Sequence, residues 1–361
     1  MAVPTLTART NPPTRVLIVL LGSIGDVVRA LPLLSRMRDS WPTAHLAWAV
    51  EPKSAPILRN HPWLNEVIIY DREHAPWSFP PFLAKVRRGR FDLVIDLQRH
   101  LKSGITSLSS GAPARWGFGR ANVKEFNHWF SNRRIASQPA MRLKLEQYQV
   151  FGDELGLAAA PLRFGLEPSP TIRERVRRLL AEVPHPRLGV MLGSSWPSRV
   201  YFPESIAAVV RGLGKPLAGE RPFFPILLGG RDDLALALAV QRELGDLPRL
   251  NLAGETRLED LAGIFAECGV AFGPDCGPMH IAAAVGCPVV SLWGATAAAR
   301  SAPWGSAAFA LTAQIPCSPC YLRGCPIGGE CMHRIAPDDV VAMVRRAFAE
   351  SKDPPAGGPV P

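Results

Sequence analysis

Gly273-Pro274-Asp275-Cys276-Gly277-Pro278-Met279-His280, followed by Ile281-Ala282-Ala283-Ala284-Val285-Gly286-Cys287-Pro288, packs a strand end, a tight turn and a helix start into one short segment. The apolar run Cys268 to Phe272 reads as a buried strand that stops at a Gly-Pro turn. An Ala-rich helix follows, with an acid, a glycine and a histidine around its first turn. A helix start exposes unpaired N–H groups and the positive end of the dipole, so it suits an anion such as a diphosphate. Asp275 repels phosphate and fits better beside sugar hydroxyls, with the amides and His280 on the phosphates. The plain alternative is an N-cap Asp with a His that happens to lie one turn further on.

A second segment narrows the choice. Arg15 to Leu21 (Arg-Val-Leu-Ile-Val-Leu-Leu) is the continuous apolar run of a parallel strand covered on both faces. It leads through Gly22-Ser23-Ile24-Gly25-Asp26 into a helical pattern marked by Ala30, Leu33, Leu34 and Met37. The turn lacks Gly-x-Gly-x-x-Gly, so it is not the dinucleotide fingerprint, and no Gly-Lys-Ser/Thr follows to make it a P-loop. What remains is a carboxylate at the mouth of a strand–turn–helix unit.

Together the two segments resemble the heptosyltransferases of glycosyltransferase family nine. That family has a Gly-Asp-Val-like turn after the first strand and a late Asp-Ser/Thr-Gly-x-x-His-x-Ala-Ala-Ala-x-Gly-x-Pro segment. Here these are Gly25-Asp26-Val27 and Asp275 to Pro288. The resemblance extends to Asp96-Leu97-Gln98, Lys102-Ser103, the Ser194 to Tyr201 loop and Cys317 to Met332. It implies a GT-B fold: α/β, two doubly wound Rossmann-like domains facing across a cleft. It also implies an inverting transfer of heptose from ADP-heptose to the inner core of lipopolysaccharide. Two other readings stay open at this point, a nucleotide-sugar epimerase on the same fold and a non-catalytic nucleotide-sugar binder.

At 361 residues the chain allows two ordinary domains, and 47% hydrophobic with 20% charged residues describes a soluble globular protein. Candidate strands in the first half are Arg15–Leu21, His45–Val50, Glu66–Tyr70, Leu93–Leu97 and Ala114–Trp116, with helical patterns at Asp26–Arg38 and Phe79–Arg88. The second half repeats the alternation. Its strands are Leu188–Leu192, Phe223–Leu228, Leu250–Leu252, Val270–Phe272 and Val289–Trp293. Its helices are Pro203–Leu213, Arg231–Leu244, Leu258–Phe265, Gly277–Val285 and Pro337–Glu350. Alternating strands and helices predict parallel sheets with right-handed crossovers. The Ala- and Pro-rich stretch Leu157–Pro170 marks the boundary. The expected division is an acceptor-binding domain over 1–165, a nucleotide-sugar domain over 166–352 and a disordered tail over 353–361.

The net charge of +10 is unevenly placed. Met1 to Gly165 holds 22 Lys and Arg against 12 Asp and Glu, whereas the rest of the chain holds 19 of each. Such an imbalance steers anionic partners to the first half, or leaves a solvated basic face. No nucleic-acid motif is present, so nucleic acid is not an expected partner. Lys85, Arg87, Arg88, Arg90, Arg99, Lys102, Arg115, Arg120 and Lys124, interspersed with Trp116, Phe118 and Trp129, suit an anionic glycolipid at a membrane surface. Lys102 and Arg120 are the candidate acceptor contacts. The resemblance implies that this acceptor is lipid A bearing the growing inner core. No apolar run approaches the roughly 18 residues of a membrane span, and Met1–Thr14 has no signal-peptide core. The expected location is the cytoplasm, at the inner face of the cytoplasmic membrane.

Sugar transfer from a nucleotide diphosphate needs a base for the acceptor hydroxyl and positive groups for the leaving diphosphate. The resemblance assigns the base to Asp26; the rival reading is a helix-capping Asp. Ser194, Ser195 and Arg199, directly after a strand, supply hydroxyls, loop amides and a cation suited to phosphate. The family usually carries Lys at position 199 and Thr or Ser at position 276, so Arg199 and Cys276 are departures. Gly277 and His280 match. Asp232 aligns loosely with an acid that binds ribose hydroxyls, or else is a solvated helix start. Cys317-x-x-Cys320 with Cys325 and Cys331 can build a structural zinc site, but the spacings are shorter than those of common ribbons or fingers, so free thiols packed in a loop are the favoured reading. Neither a metal nor another cofactor is expected.

Overall fold

The computed structural model describes residues 12–216 and 221–352; the tail 353–361 and most of Met1–Thr14 lie outside the described residues. The chain divides into two compact units, Met1–Gly165 and Leu166–Pro361.

The first unit runs β1 (Arg15–Val19), α1 (Ile24–Ser40), β2 (His45–Val50), α2 (Ala55–Leu58), β3 (Glu66–Ile69), α3 (Phe79–Arg88) and β4 (Leu93–Asp96). It continues with α4 (Leu101–Ser109), β5 (Ala114–Gly117), β6 (Arg133–Arg134) and α5 (Lys144–Glu154). The second unit opens on α6 (Pro170–Leu179), β7 (Arg187–Met191), α7 (Pro203–Leu213), β8 (Phe224–Leu228), α8 (Leu234–Leu244), β9 (Leu250–Asn251) and α9 (Leu258–Ala266). Then come β10 (Val270–Pro274), α10 (Gly277–Ala284), β11 (Val289–Trp293), α11 (Ala298–Ser301), β12 (Ala310–Thr312), α12 (Glu330–His333) and α13 (Pro337–Lys352).

Each unit builds one six-stranded sheet, ordered β3-β2-β1-β4-β5-β6 and β12-β11-β10-β7-β8-β9, and every pairing is parallel. Numbered within its own unit, each sheet reads 3-2-1-4-5-6, the doubly wound order. The central strands are apolar throughout because helices cover both faces. Leu17, Val19, Ala47, Ala49 and Val94 fill one side of the first sheet; Leu188, Val190, Leu227, Val270 and Phe272 do so in the second. A side chain such as Leu17, with no exposed surface, contributes about 1.5–3 kcal/mol by leaving water.

In this topology the strand order reverses at one place per sheet, and the loops there diverge to leave a crevice at the carboxyl ends. The reversal lies between β1 and β4 in the first unit and between β7 and β10 in the second. Asp26 follows β1, and Lys102 follows β4. Ser194 and Arg199 follow β7, and Asp275 follows β10. Asp26 and Lys102 thus lie at one such crevice and Ser194, Arg199 and Asp275 at the other, whereas Arg120 follows β5 and Asp232 follows β8.

Candidate active site

In the first unit, α1 begins at Ile24 with Ser23 as its N-cap residue. Asp26 is thus not the cap but a first-turn acid, favourably placed against the helix dipole. Its Oδ1 accepts from Arg29 Nη1 at 2.7 Å and from Lys144 Nζ at 2.8 Å, with Tyr148 Oη at 3.5 Å. Ser23 Oγ lies 3.4 Å from Oδ2. The group is largely buried: side-chain exposure is 16% for Asp26, 7% for Arg29 and 21% for Lys144. Arg29 comes from the same helix, three residues on, whereas Lys144 and Tyr148 arrive on α5, which packs along α1. Arg99 fastens α5 from the other side, donating to Gln147 while its guanidinium lies 3.8 Å over the Phe118 ring.

A buried polar network lies behind this turn. Asp96, fully buried at the end of β4, accepts from Gln98 N (2.9 Å), Ser103 Oγ (3.0 Å) and Asn127 Nδ2 (2.8 Å). Burial pushes its carboxyl up to about 6 against the opposing pull of those three hydrogen bonds. Gln98 in turn accepts from Gly22 N at 3.3 Å, tying the β4 loop to the turn that carries Asp26. Lys102 is half-buried, its ammonium 4.9 Å from the Tyr70 ring centroid. Desolvation, then the nearby Arg72, lowers its proton affinity. Arg120 is exposed on a one-turn helix. The basic–aromatic reading needs one correction: Trp116 and Phe118 are core residues, and Arg115 spends its guanidinium on the carbonyls of Phe130 and Ala112. Trp129 is exposed, as a surface contact requires.

In the second unit the β7 and β10 loops are laced together. Ser194 Oγ donates to the Asp275 carbonyl at 2.8 Å, and Arg199 Nη1 reaches Asp275 Oδ2 at 3.1 Å. Thr296 Oγ1 donates to the same Oδ2 at 2.7 Å. The Arg199 guanidinium lies over Trp196, 3.9 Å from its ring centroid. Gly273 is glycine because a Cβ there would meet the Met191 backbone oxygen at 2.8 Å, so β7 and β10 approach closely only without it. Cys276 caps α10, Gly277 opens it, and His280 is buried one turn in. Burial pushes the Cys276 thiol up to about 12, so it is a neutral, weak donor and the α10 amides are the better anion ligands. Ser195 is exposed on the loop.

Asp232 is exposed in the one-turn helix Arg231–Asp233. Its neighbour Asp233 is the acid that turns inward. It accepts from Gly230 N at 2.8 Å and fills the space where Gly193 lacks a side chain, and burial raises its proton affinity. Sequence reasoning also missed Lys144, Tyr148, Thr296, Asn127 and Trp196. Of these, only Trp196 carried a local signal, an aromatic three residues before the cation. Cys317 is exposed, Cys320 and Cys325 are half-buried and Cys331 is buried, all as free thiols. Among the described residues, no three His, Cys, Asp or Glu side chains converge in a group that could hold a metal ion, and no helix is long and apolar enough to cross a membrane.

The profile for "Glycosyltransferase family 9 (heptosyltransferase)" matches residues 82–330. Lipopolysaccharide heptosyltransferase 1 of Pseudomonas aeruginosa is 28% identical over 327 residues, covering 86% of this chain and 87% of that one. The lipopolysaccharide core heptosyltransferase OpsX of Haemophilus influenzae is 24% identical, covering 82% of this chain and 84% of its own. Among solved structures, a family 9 glycosyl transferase from Veillonella parvula superimposes with a TM-score of 0.77 at 20% identity, over 93% of this chain and 97% of that one. With 249 of its residues inside the family profile and the same pair of doubly wound sheets, the chain belongs to glycosyltransferase family 9, the heptosyltransferases.

Proposed function

We propose that this glycosyltransferase moves heptose from ADP-heptose to the inner core of lipopolysaccharide, with inversion at the anomeric carbon and without a metal. The observation that carries the reading is the laced crevice between β7 and β10. There Ser194 and Arg199 meet Asp275 beside the α10 N-terminus, with His280 one turn further along that helix. In this reading that site holds the diphosphate, and Asp275 with Asp233 rather than Asp232 faces sugar hydroxyls. Relatives of similar length are named lipopolysaccharide heptosyltransferases, which supports heptose and the lipopolysaccharide core as the substrate pair.

Asp26 is the general base. Arg29 and Lys144 both donate to Oδ1, which fixes the carboxylate in place for the proton transfer. The acceptor hydroxyl gives its proton to Asp26 as its oxygen bonds to the anomeric carbon. The bond from that carbon to the diphosphate breaks, and ADP leaves with negative charge that Arg199, His280 and the α10 amides stabilise in this reading. The acceptor is an anionic glycolipid, gripped through Lys102 and Arg120 at the cytoplasmic face of the membrane. Incubation with ADP-heptose and an inner-core acceptor should release ADP and add one heptose to the acceptor by mass. Conversion of the donor alone into a new free sugar would establish the epimerase instead, and ADP-heptose binding with no turnover on any acceptor would establish a binder.

A further inference from the structure

One loop of the first unit displays apolar surface that its own fold does not use. Between β5 and β6 the backbone turns through Glu125 and Phe126 with φ of 53° and 58°, left-handed values uncommon for any residue with a Cβ and rarer for a bulky aromatic. The turn is held from inside. Asn127, 1% exposed, donates through Nδ2 to Asp96 Oδ2 at 2.8 Å, to the His100 carbonyl at 2.8 Å and to Ser103 Oγ at 3.1 Å. Glu125 accepts from Leu101 N at 3.0 Å, and Lys124 N donates to the Arg99 carbonyl at 2.9 Å.

With those anchors facing inward, the two largest side chains of the loop face outward. Phe126 is 63% and Trp129 68% exposed, and their rings stack with centroids 4.7 Å apart. Leu101 and Leu108, 41% and 50% exposed, lie seven residues apart on one face of α4, beside Gly104, against which Phe130 packs. Apolar side chains exposed in this number on neighbouring elements, α4 and the loop that packs on it, mark an interaction site. Its rim is cationic. Arg133 and Arg134 are exposed, and Arg134 donates to the carbonyls of His128 and Ser131, the residues that flank Trp129 and Phe130. From Ala114 to Arg134 the chain carries five Lys and Arg and a single acid, Glu125.

We infer that this face seats the protein on an anionic lipid bilayer, with Phe126 and Trp129 entering the headgroup layer and Arg133 and Arg134 on acidic headgroups. Aromatic side chains with a polar rim settle at the membrane–water interface, and each nearby cation adds attraction to acidic lipid. Single-stranded nucleic acid also uses stacked aromatics and cations, but it leaves the aliphatic extension through Leu101 and Leu108 without a role. A bilayer uses both halves of the surface. The inference rests on the reading above in one respect: the acceptor is anchored in that membrane, so a docked enzyme meets it in two dimensions.

The test is co-sedimentation of the full chain with vesicles of phosphatidylcholine, with and without a minority of phosphatidylglycerol, and with no glycolipid present. Wild type should bind the anionic vesicles, and F126S/W129S should bind about tenfold or more weakly. R133E/R134E should lose binding to the anionic vesicles by a similar factor, and added salt should shrink its difference from wild type. F126S/W129S should melt with wild type, since both side chains are exposed, and R133E/R134E slightly below it because the two Arg134 hydrogen bonds are lost; both, assayed below their transitions, should keep wild-type turnover on a delipidated, soluble acceptor. Vesicle binding that needs these residues in a protein without transferase activity would sink the reaction assignment and leave the docking face standing. The docking face is overturned if F126S/W129S binds anionic vesicles like wild type, if wild type binds none, or if a single-stranded oligonucleotide displaces the vesicles.

Discussion

Replacing Asp26 with Asn keeps the shape of the side chain and removes its negative charge, and the structure gives that change two separate consequences. The first is chemical. If Asp26 takes the acceptor proton, turnover falls by about 10²–10⁴-fold, or about 3–5 kcal/mol of barrier. The second is structural. Because Ser23 occupies the N-cap position, helix capping is not what the carboxylate does for the fold. It neutralises Arg29, 7% exposed, and Lys144, 21% exposed. Stripping a fully buried pair of one partner costs about 3–5 kcal/mol. Here the amide oxygen still accepts one hydrogen bond and Lys144 keeps some water, so about 1–3 kcal/mol is expected. In a unit of this size that lowers the melting temperature by roughly 3–10 °C.

Capping alone predicts no such loss, so a melting scan separates the two accounts of Asp26. Turnover should be followed by ADP release well below the transition, and ADP affinity by calorimetry on the same sample. ADP affinity should stay within about twofold of wild type, since every proposed ADP contact belongs to the second unit. A variant that melts earlier yet turns over within about tenfold of wild type would refute the base assignment. Asp26 would then be the anchor of Arg29 and Lys144 and nothing more.

Further outcomes follow from other parts of the molecule. Arg199→Ala should weaken ADP binding by about 10–100-fold, the usual worth of a hydrogen bond to a charged group, and Arg199→Lys should recover most of it; equal losses in both would mean the charge is not what matters. Lys102→Ala and Arg120→Ala should raise KM for the anionic acceptor with ADP affinity unchanged, and added salt should shrink the Arg120 effect more, because Arg120 is exposed and Lys102 half-buried. Asp96 titrates at about 6 in the folded protein and near 4 unfolded. Between those values the native state holds a proton that the unfolded chain has released, so this group's contribution falls as pH rises from 4 through 6. Denaturant melts should therefore show Asp96→Asn gaining up to about 3 kcal/mol on wild type across that window; a difference flat with pH would refute it. Elemental analysis should find neither zinc nor iron in stoichiometric amount, and alkylation should label exposed Cys317 while sparing Cys268 and Cys276, whose thiols burial pushes up to about 12.

The strands that the sequence made legible are those buried on both faces. Arg15–Leu21 and Val289–Trp293 are continuous apolar runs, and they form β1 and β11 with ends shifted by two residues at most. Two of the four edge strands left no such trace. β6 is Arg133–Arg134, two exposed charged residues that join the sheet only through backbone pairing with Trp116 and Gly117. β12 is three half-exposed residues beside β11. Edge strands are short and polar because a long apolar edge would invite aggregation, and that same property removes the hydrophobic pattern by which a strand is read. The helix α5, Lys-Leu-Glu-Gln-Tyr-Gln-Val-Phe-Gly-Asp-Glu, escaped for a related reason: its apolar face is interrupted by polar residues, one of which, Gln147, is buried.

That missed helix explains what was legible in the site and what was not. A residue directly after a central strand falls at the strand's carboxyl end wherever else the chain goes, so Asp26, Ser194 and Asp275 could be placed from the sequence. Arg29 was within reach as well, because three residues in a helix is one turn. Lys144 lies 118 residues from Asp26, and nothing local to either residue records the pairing. It follows from which helix packs on α1, a tertiary fact. The same holds for Thr296 on Asp275 and for Asn127 on Asp96, each supplied by a different element 21 and 31 residues away. Loops after strands thus name the groups that meet the ligand, whereas the groups that orient them come from neighbouring elements. Arg99 is the link between the two classes in the first unit. It stands in the β4 loop beside Lys102 and holds α5 through Gln147, so the helix that supplies Lys144 to the base is fastened by the loop proposed to grip the acceptor.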